Sequence, residues 1–320
     1  MEYITKMKIG LSECLLGHEV RYDKGHKYDP FIVETLGQYF DFVPVCPEVE
    51  CGLPTPRESM RLVGDSQNPR LMTGKSNTDM SQMMQTWCQR RVRDLEKENL
   101  VAFIFKSKSP SSGLYHVKVY PQSGKGFPTK TGVGYFARAF TQQFPLLPVE
   151  EEGRLNDPKL RETFIESIFV LKRWRETIRE HFTLGKLVAF HTCHKLLFMA
   201  HNPSLYRTMG KFVAQGKKLS ATTVQDKYLE MMMECLRLKT TVKKNIDVLY
   251  HIMGYFKKVL DPQEKKEIIE VFESYRRELI PLIVPITLLN FFAKKYQQNY
   301  LMGQHYLNPH PLELKLRNHA

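Results

Sequence analysis

The sequence predicts two domains: an α/β domain with a mainly parallel sheet over residues 1–148, and an all-α helical bundle over residues 149–320. In the first part, short apolar runs alternate with helical patterns, which is typical of βαβ units. In the second part, periodic helical segments follow one another without convincing strands. An acidic stretch bracketed by prolines, residues 145–153, lies between them and is expected to be a linker.

Three apolar runs of the first domain predict strands that end at chemically active residues. These are residues 8–11 before Ser12 and Cys14, residues 42–45 before Cys46 and Glu48, and residues 100–105 before a polar loop at 106–113. The carboxyl ends of parallel strands meet at one edge of a sheet, where open α/β folds bind ligands. Two thiols, one carboxylate and several hydroxyls should therefore converge there.

The remaining elements follow from periodicity and capping signals. A capping residue before a proline predicts helix starts at Asp157 and Asp261, the second with Glu264 placed for a capping box. The further predicted elements are helices at 33–39, 78–99 and 133–144, a strand at 116–120, and helices from 158 to about 182 and at 186–200, 204–215, 222–238, 245–259 and 282–296.

Composition and charge narrow the class of protein. The 320 residues are 42% hydrophobic and 25% charged, which is enough for a sizeable core. Residues 151–320 hold 28 basic against 18 acidic residues, or +10 of the net +13. Such a basic half favours a polyanion partner, with nucleic acid first, although a basic surface without a specific partner stays an alternative.

No targeting or membrane segment is evident in the sequence. Residues 1–8 lack the apolar region of a signal peptide, and the longest apolar stretch, residues 279–293, contains two prolines and is too short to span a bilayer. We therefore predict a cytoplasmic protein without a membrane partner, in which the six cysteines are reduced.

Ordered motifs along the chain resemble two known families. The motifs at 12–17, 21–23, 45–48 and 108–113 resemble those of the thiouracil desulfidase family (TudS), and those at 190–195, 199–201 and 282–289 resemble the YbgA-type helical domain. The whole chain is thus similar to the two-domain fusions, known as RudS, that remove sulfur from 4-thiouridine in transfer RNA.

The resemblance implies a 4Fe-4S cluster held by three cysteines, with one iron left open to bind the thiocarbonyl sulfur. Water then attacks the ring carbon without net redox change. The Cys-Pro-Glu motif assigns proton transfer to Glu48, and Ser109 matches the functional serine of the family.

One position departs from the family pattern. Ser112 stands where most of the family has the third cysteine, and a serine hydroxyl is a poor cluster ligand. Cys51 follows Cys46 by five residues, so the ligand set is predicted as Cys14, Cys46 and Cys51. Alternatively Cys51 is a buried apolar side chain, the cluster is lost or held by only two thiolates, and the first domain is a binding module.

Polar and basic residues around these motifs predict substrate contacts. The hydroxyls of Ser12, Ser111 and Ser112 are expected to line the site. Cations beside the cysteine loops can hold a nucleotide phosphate, although an internal salt bridge is an equal interpretation for Arg57. The cations are Arg21, Arg57, Lys106 and Lys108.

In the second domain, paired lysines predict RNA contacts. Lys217-Lys218 and Lys243-Lys244 are the preferred candidates, whereas Lys257-Lys258 and Lys294-Lys295 also fit a helix-dipole explanation. His191 and His194 share a helical face, but we expect them to contact other helices or RNA rather than metal.

These observations predict a non-redox desulfidase that converts 4-thiouridine in transfer RNA to uridine and sulfide, with no obligatory protein partner. Two alternatives stay open. One is a desulfidase of free thiouracil or thiouridine monophosphate. The other is a catalytically silent RNA-binding protein that has lost the cluster.

Overall fold

A computed structural model describes residues 6–179, 181–311, 314 and 316–318, and its contacts divide the chain after Asn156 into two compact units. The division falls eight residues beyond the predicted boundary at 148. The stretch predicted as a linker contributes a strand, Val149–Glu151, to the first unit. Its prolines lie outside that strand, so they do not interrupt it.

The first unit alternates strands and helices. Its elements are β1 (Met7–Ser12), β2 (Phe40–Val45), α1 (Pro47–Glu50), β3 (Met60–Val63), β4 (Arg70–Thr73), α2 (Ser81–Glu96), β5 (Ala102–Phe105), β6 (Val117–Tyr120), β7 (Thr129–Gly132), α3 (Tyr135–Gln143) and β8 (Val149–Glu151). Short helical turns occur at Glu13–Leu16, Phe31–Thr35, Leu36–Gln38 and Arg154–Asn156. The predicted helix at 33–39 is therefore two such turns.

The first sheet has the order β2-β1-β5-β8, and all of its strand pairs are parallel. In this register Ser12 lies beside Val45, and Leu11 lies beside Ile104. The carboxyl ends of β1, β2 and β5 therefore share one edge, which confirms the predicted parallel α/β architecture.

A second sheet, in the order β4-β3-β6-β7, was not predicted. Only β3 and β6 are parallel in it, and β4 and β7 pair antiparallel at its two edges. The strand predicted at 116–120 belongs here rather than to the parallel sheet. Each of these strands has four residues, a length at which alternation of polar and apolar residues carries little signal.

Aromatic side chains fill the core between the parallel sheet and α3. Phe103 and Phe140 have ring centroids 4.7 Å apart, and Phe136 contacts both Phe103 and Trp87 of α2. Each such side chain stabilises the fold by about 1.5–3 kcal/mol through burial. Gly10 on β1 makes room for this cluster, since a Cβ there would lie 2.2 Å from the Phe103 ring.

The second unit is helical, as predicted. Its helices are α4 (Pro158–Ile178), α5 (Leu184–His201), α6 (Pro203–Gln215), α7 (Ala221–Leu236), α8 (Val242–Met253), α9 (Pro262–Arg276), α10 (Ile283–Lys295) and α11 (Asn299–Met302). The predicted extension of α4 to about 182 crosses residue 180, which lies outside the described residues. Within the described chain, no helix is long and apolar enough to cross a membrane.

Side-chain hydrogen bonds cap the starts of two of these helices, α4 and α9. The Asp157 carboxylate accepts hydrogen bonds from the amides of Lys159 and Leu160 at the start of α4. Asp261 accepts from the Glu264 amide at 2.8 Å, and Glu264 accepts from the Asp261 amide at 3.1 Å. The predicted capping box of α9 is therefore present.

A buried ionic network joins the C-terminal segment to α4 and α5. Arg317 Nη2 lies 2.6 Å from Glu166 Oε1, and its Nε lies 2.9 Å from Glu162 Oε1. The other Glu166 oxygen lies 3.0 Å from His201 Nε2. Arg317 and His201 hold the pKa of the Glu166 carboxyl below its usual range despite complete burial. Each charge has a partner, as burial requires.

Candidate active site

A cavity of about 390 Å³ lies at the carboxyl edge of the parallel sheet, where the loops after β1, β2 and β5 meet. Cys14 reaches it from the helical turn after β1, and Cys46 reaches it from the residue before α1. Both thiols are buried. The predicted convergence of these loops is thus found, because strand register places their first residues side by side.

A chain of hydrogen bonds connects three polar side chains at this cavity. The Ser111 hydroxyl donates to Glu48 Oε1 at 2.5 Å. A hydroxyl has one proton, so Ser109, 2.9 Å from Ser111 Oγ, must be the donor in their contact. Ser109 Oγ in turn accepts from the amides of Ser111 and Ser112. This order gives a defined path from Ser109 through Ser111 to the carboxylate.

The other Glu48 oxygen faces a thiol and a guanidinium. Glu48 Oε2 lies 3.6 Å from Cys46 Sγ and 3.8 Å from Arg57 Nη2. Arg57 is itself fixed by bonds to the Val20 carbonyl and the Thr55 hydroxyl. Glu48 is therefore held from both sides, with a cation beside the oxygen that Ser111 does not contact.

Burial controls the protonation of the two cavity thiols. It raises the pKa of Cys14 to about 11 and that of Cys46 to about 12, with the nearby Glu48 carboxylate adding to both. At neutral pH both thiols therefore keep their protons until a bound cation displaces them.

Cys51 does not take the place predicted for it. Its thiol donates to the Glu48 carbonyl at 3.2 Å, and its side chain packs against the hydrophobic core cluster that contains Cys88. It is absent from the described lining of the cavity, whereas Ser112 lines it and is 4% exposed. Cys51 ends the α1 turn, and the packing of this turn against α2 directs its side chain toward the core.

The predicted ligand set of Cys14, Cys46 and Cys51 is thus not assembled. Across the described residues, no group of three His, Cys, Asp or Glu side chains is arranged to hold a metal ion. The three family positions do meet at the cavity, and they provide two thiols and the Ser112 hydroxyl.

Two of the predicted phosphate-binding cations are engaged elsewhere. Arg57 pairs with Glu48, and this contact favours the salt-bridge interpretation. The partner is Glu48 rather than the adjacent Glu58. Lys106 forms an ion pair with Glu152. The Ser12 hydroxyl is likewise structural, because it accepts the Lys106 amide at 2.8 Å. Sequence analysis missed the roles of Lys106 and Ser12, because their partners lie 46 and 94 residues away along the chain.

Other cations remain at the cavity wall. Lys108 is exposed there, and Arg21 lies 3.5 Å from Asp23. Lys27, which sequence analysis missed, is also exposed on this wall. No side-chain ion pair is found for Lys27 or Lys108 within the described part of the chain, so both can meet an anion.

The serine loop is held from behind by an unpredicted carboxylate. Glu151 Oε1 accepts the amides of Leu114 at 2.8 Å and Tyr115 at 3.1 Å. Gly134 packs against the same loop, since a Cβ there would lie 2.5 Å from the Ser111 carbonyl oxygen. The acidic stretch taken for a linker therefore positions the site.

Of the lysines predicted to contact RNA in the second unit, three are exposed and one is engaged in hydrogen bonds to the backbone. Lys217, Lys218 and Lys243 are exposed. Lys244 instead donates to the His201 carbonyl at 2.6 Å and to the Lys239 carbonyl at 3.0 Å. It therefore caps the carbonyl end of α5, a function its position at the start of α8 does not reveal.

His191 and His194 each contact another helix. His191 Nδ1 lies 3.0 Å from the Tyr228 hydroxyl on α7, and His194 Nε2 accepts from Arg173 Nε on α4 at 2.9 Å. Burial lowers the pKa of His191 to about 4 and that of His194 well below its ordinary value. Both rings are therefore neutral packing elements.

Comparisons with known proteins agree with this division of the chain. Residues 9–152 match the family model described as 2-thiouracil desulfurase, and residues 195–311 match DUF1722, a protein family of unknown function. "Uncharacterized protein YbgA" of Escherichia coli K12 is 28% identical over 167 residues, covering 51% of this chain and 98% of that protein.

A solved structure, "[4Fe-4S]-dependent thiouracil desulfidase TudS", is 27% identical, with a TM-score of 0.40 over 48% of this chain and 95% of its own. The two family matches lie one in each structural unit. The chain therefore joins a TudS-like domain in its first unit to a YbgA-type domain in its second.

Proposed function

We propose that this chain is an iron–sulfur-dependent desulfidase that converts 4-thiouridine in transfer RNA to uridine and sulfide. One observation carries the proposal. Cys14, Cys46 and Glu48 converge on one cavity, and Ser111, fully buried behind the cavity wall rather than lining it as predicted, holds Glu48 in place, within the residues that match the 2-thiouracil desulfurase family. A site with soft thiolate donors beside a carboxylate suits the replacement of sulfur by oxygen.

The donors at the cavity fit a cluster with two thiolates and one weaker ligand. Cys14 and Cys46 supply the thiolates, and the Ser112 hydroxyl occupies the third family position. An oxygen donor is harder than a thiolate, so it holds iron in such a cluster less firmly. When bound, the cluster supplies an open iron that binds and polarises the thiocarbonyl sulfur.

Glu48 is the proton acceptor in this scheme. Water adds to the ring carbon and passes one proton to the carboxylate. The carbon–sulfur bond then breaks, so that the water oxygen ends in uridine and the second proton leaves with the sulfur as hydrosulfide. Arg57 keeps Glu48 oriented from one side and Ser111 from the other. The Ser109–Ser111 chain donates toward Glu48 and so stabilises the carboxylate that accepts the proton.

The basic helical domain supports transfer RNA as the substrate. Lys217, Lys218 and Lys243 offer exposed ammonium groups to phosphates. A base within folded RNA must leave its stack to enter a recessed cavity, and Lys27 and Lys108 at the wall can hold its phosphate.

Anaerobic reconstitution with iron and sulfide, followed by incubation with thiolated transfer RNA, tests the proposal. The 4-thiouridine absorbance should fall with wild type and persist with Glu48→Gln. Glu58→Gln is the matched control, because Glu58 also lines the cavity but binds the amides of Lys75 and Ser76. Equal activity of Glu48→Gln and wild type would contradict the assignment.

Two further outcomes separate the alternatives. Faster turnover of free thiouracil or 4-thiouridine monophosphate than of transfer RNA would favour the small-molecule desulfidase. The second candidate, a silent RNA-binding protein, is favoured by Ser112 at the cluster position. It predicts that no iron is retained while transfer RNA still binds.

A further inference from the structure

Acidic residues are absent from long segments of the helical domain. Residues 181–225, which include α5 and α6, contain none and carry six lysines and arginines. Residues 279–311, which include α11, also contain none, and α8 has a single acid, Asp247. In contrast, α9 has four glutamates. The negative charge of the domain is therefore concentrated on other helices.

Within this acid-poor region, four side chains form what we call the tyrosine–lysine cluster: Lys195, His251, Tyr255 and Tyr300. Tyr255 and Tyr300 stack with ring centroids 5.0 Å apart and planes inclined by 19°. Lys195 Nζ lies 4.8 Å from the centroid of the Tyr300 ring. His251 meets the Tyr255 ring nearly edge-on at 5.7 Å. The cluster thus joins α5, α8 with its following turn, and α11.

The cluster reaches the surface. Tyr255 is 37% exposed, and His251 is exposed as well. Lys257 and Lys258 follow Tyr255 after the buried Phe256, are exposed, and form no ion pair within the described residues. Here a partly open ring lies beside cations without neutralising acids.

We propose that the tyrosine–lysine cluster is a stacking site for an unpaired nucleobase of RNA, with Lys257 and Lys258 binding adjacent phosphates. Base stacking on an aromatic ring tolerates any sequence, and lysines follow the backbone. This inference deepens the proposed function by naming where the helical domain holds RNA. It requires neither a cluster nor a thiolated base, so its test is independent of desulfidation.

The test uses the full chain without reconstitution and a fluorescein-labelled 12-nucleotide oligouridylate. Tyr255→Ala should weaken binding by about tenfold or more. Tyr255→Trp should bind as wild type, and its added emission should be quenched by stacked bases. Lys258→Met should lower the slope of log affinity against log salt by about 0.7. Lys266→Met on the glutamate-rich α9 is the matched control and should change nothing.

Several results would overturn the proposal. Unchanged affinity of Tyr255→Ala would remove the stacking role, and so would an equal loss of affinity for a blunt 12-base-pair RNA duplex, which offers no unstacked base. If Tyr255→Ala lowers the melting temperature, the loss of affinity could come from unfolding, and the Tyr255→Trp variant then tests stacking. Tryptophan emission that stays unquenched at saturating oligouridylate excludes stacking. Tighter Tyr255-dependent binding to phosphatidylglycerol vesicles than to the oligouridylate would replace RNA with a lipid surface.

Discussion

Ser111 donates a hydrogen bond of 2.5 Å to Glu48, 63 residues earlier in the chain. The contact ties the loop after β5 to the helix after β2 at the open edge of the sheet. It also fixes which Glu48 oxygen remains beside Cys46 and Arg57. The carboxylate therefore has one oxygen committed to positioning and one that faces the cavity groups.

Ser111→Ala should lower kcat for desulfidation by about 10- to 100-fold, because hydrogen bonds to charged groups contribute about 1.5–3 kcal/mol. KM should change little if Ser111 orients Glu48 without touching substrate. Ser59→Ala is a suitable control, since Ser59 lines the same cavity. Steady-state kinetics on the reconstituted enzyme measure both constants, and a change confined to KM would assign Ser111 to substrate binding instead.

Ser112→Cys should raise the iron retained per chain and slow its loss in air, because a third thiolate replaces a hard oxygen ligand. Iron analysis and electron paramagnetic resonance after anaerobic reconstitution measure the effect. Cys51→Ala should leave iron content unchanged, since Cys51 packs toward the core rather than the cavity. Loss of iron in Cys51→Ala would instead restore the original ligand hypothesis.

The contrast between Cys51 and Ser112 shows what sequence could and could not predict. Strand ends and the Asp261–Glu264 capping box follow from local pattern, so they were predicted. The direction of Cys51 depends on how the α1 turn packs against α2, which spacing does not encode. The Arg317–Glu166 pair joins residues 151 positions apart, and no local signal marks either partner. Short strands such as β7 were not predicted, because four residues are too few to show alternation of polar and apolar side chains.

Glu151→Ala should destabilise the first unit by about 2–4 kcal/mol, because it leaves the buried amides of Leu114 and Tyr115 without an acceptor. Urea unfolding measures the free energy. Glu151→Gln should cost less, since its amide oxygen can still accept. Glu98→Ala, which removes a partly exposed ion pair with Lys8, is the control and should change stability by under about 1 kcal/mol. Equal effects of Glu151→Ala and Glu98→Ala would contradict the positioning role.

Acid should remove the stability that two buried histidines of the helical domain contribute when neutral. Burial lowers the pKa of His191 and of His305 to about 4 in the folded chain, below the ordinary value of 6.5. Between pH 6.5 and 4 the unfolded state therefore binds more protons at these two histidines, so their contribution to stability falls as pH falls through this window. Burial raises the pKa of Glu162 to about 7, which acts in the opposite direction, so the histidine contribution is read from variants.

For His191 alone the loss from pH 6.5 to 5 should reach about 2 kcal/mol, at about 1.4 kcal/mol per unit. Urea unfolding followed by circular dichroism at several pH values measures the slope. His191→Gln, which keeps a polar group near Tyr228, should flatten it, whereas replacement of the exposed His116 should not. An equal slope for His191→Gln and wild type would contradict the lowered pKa of His191 in the folded chain.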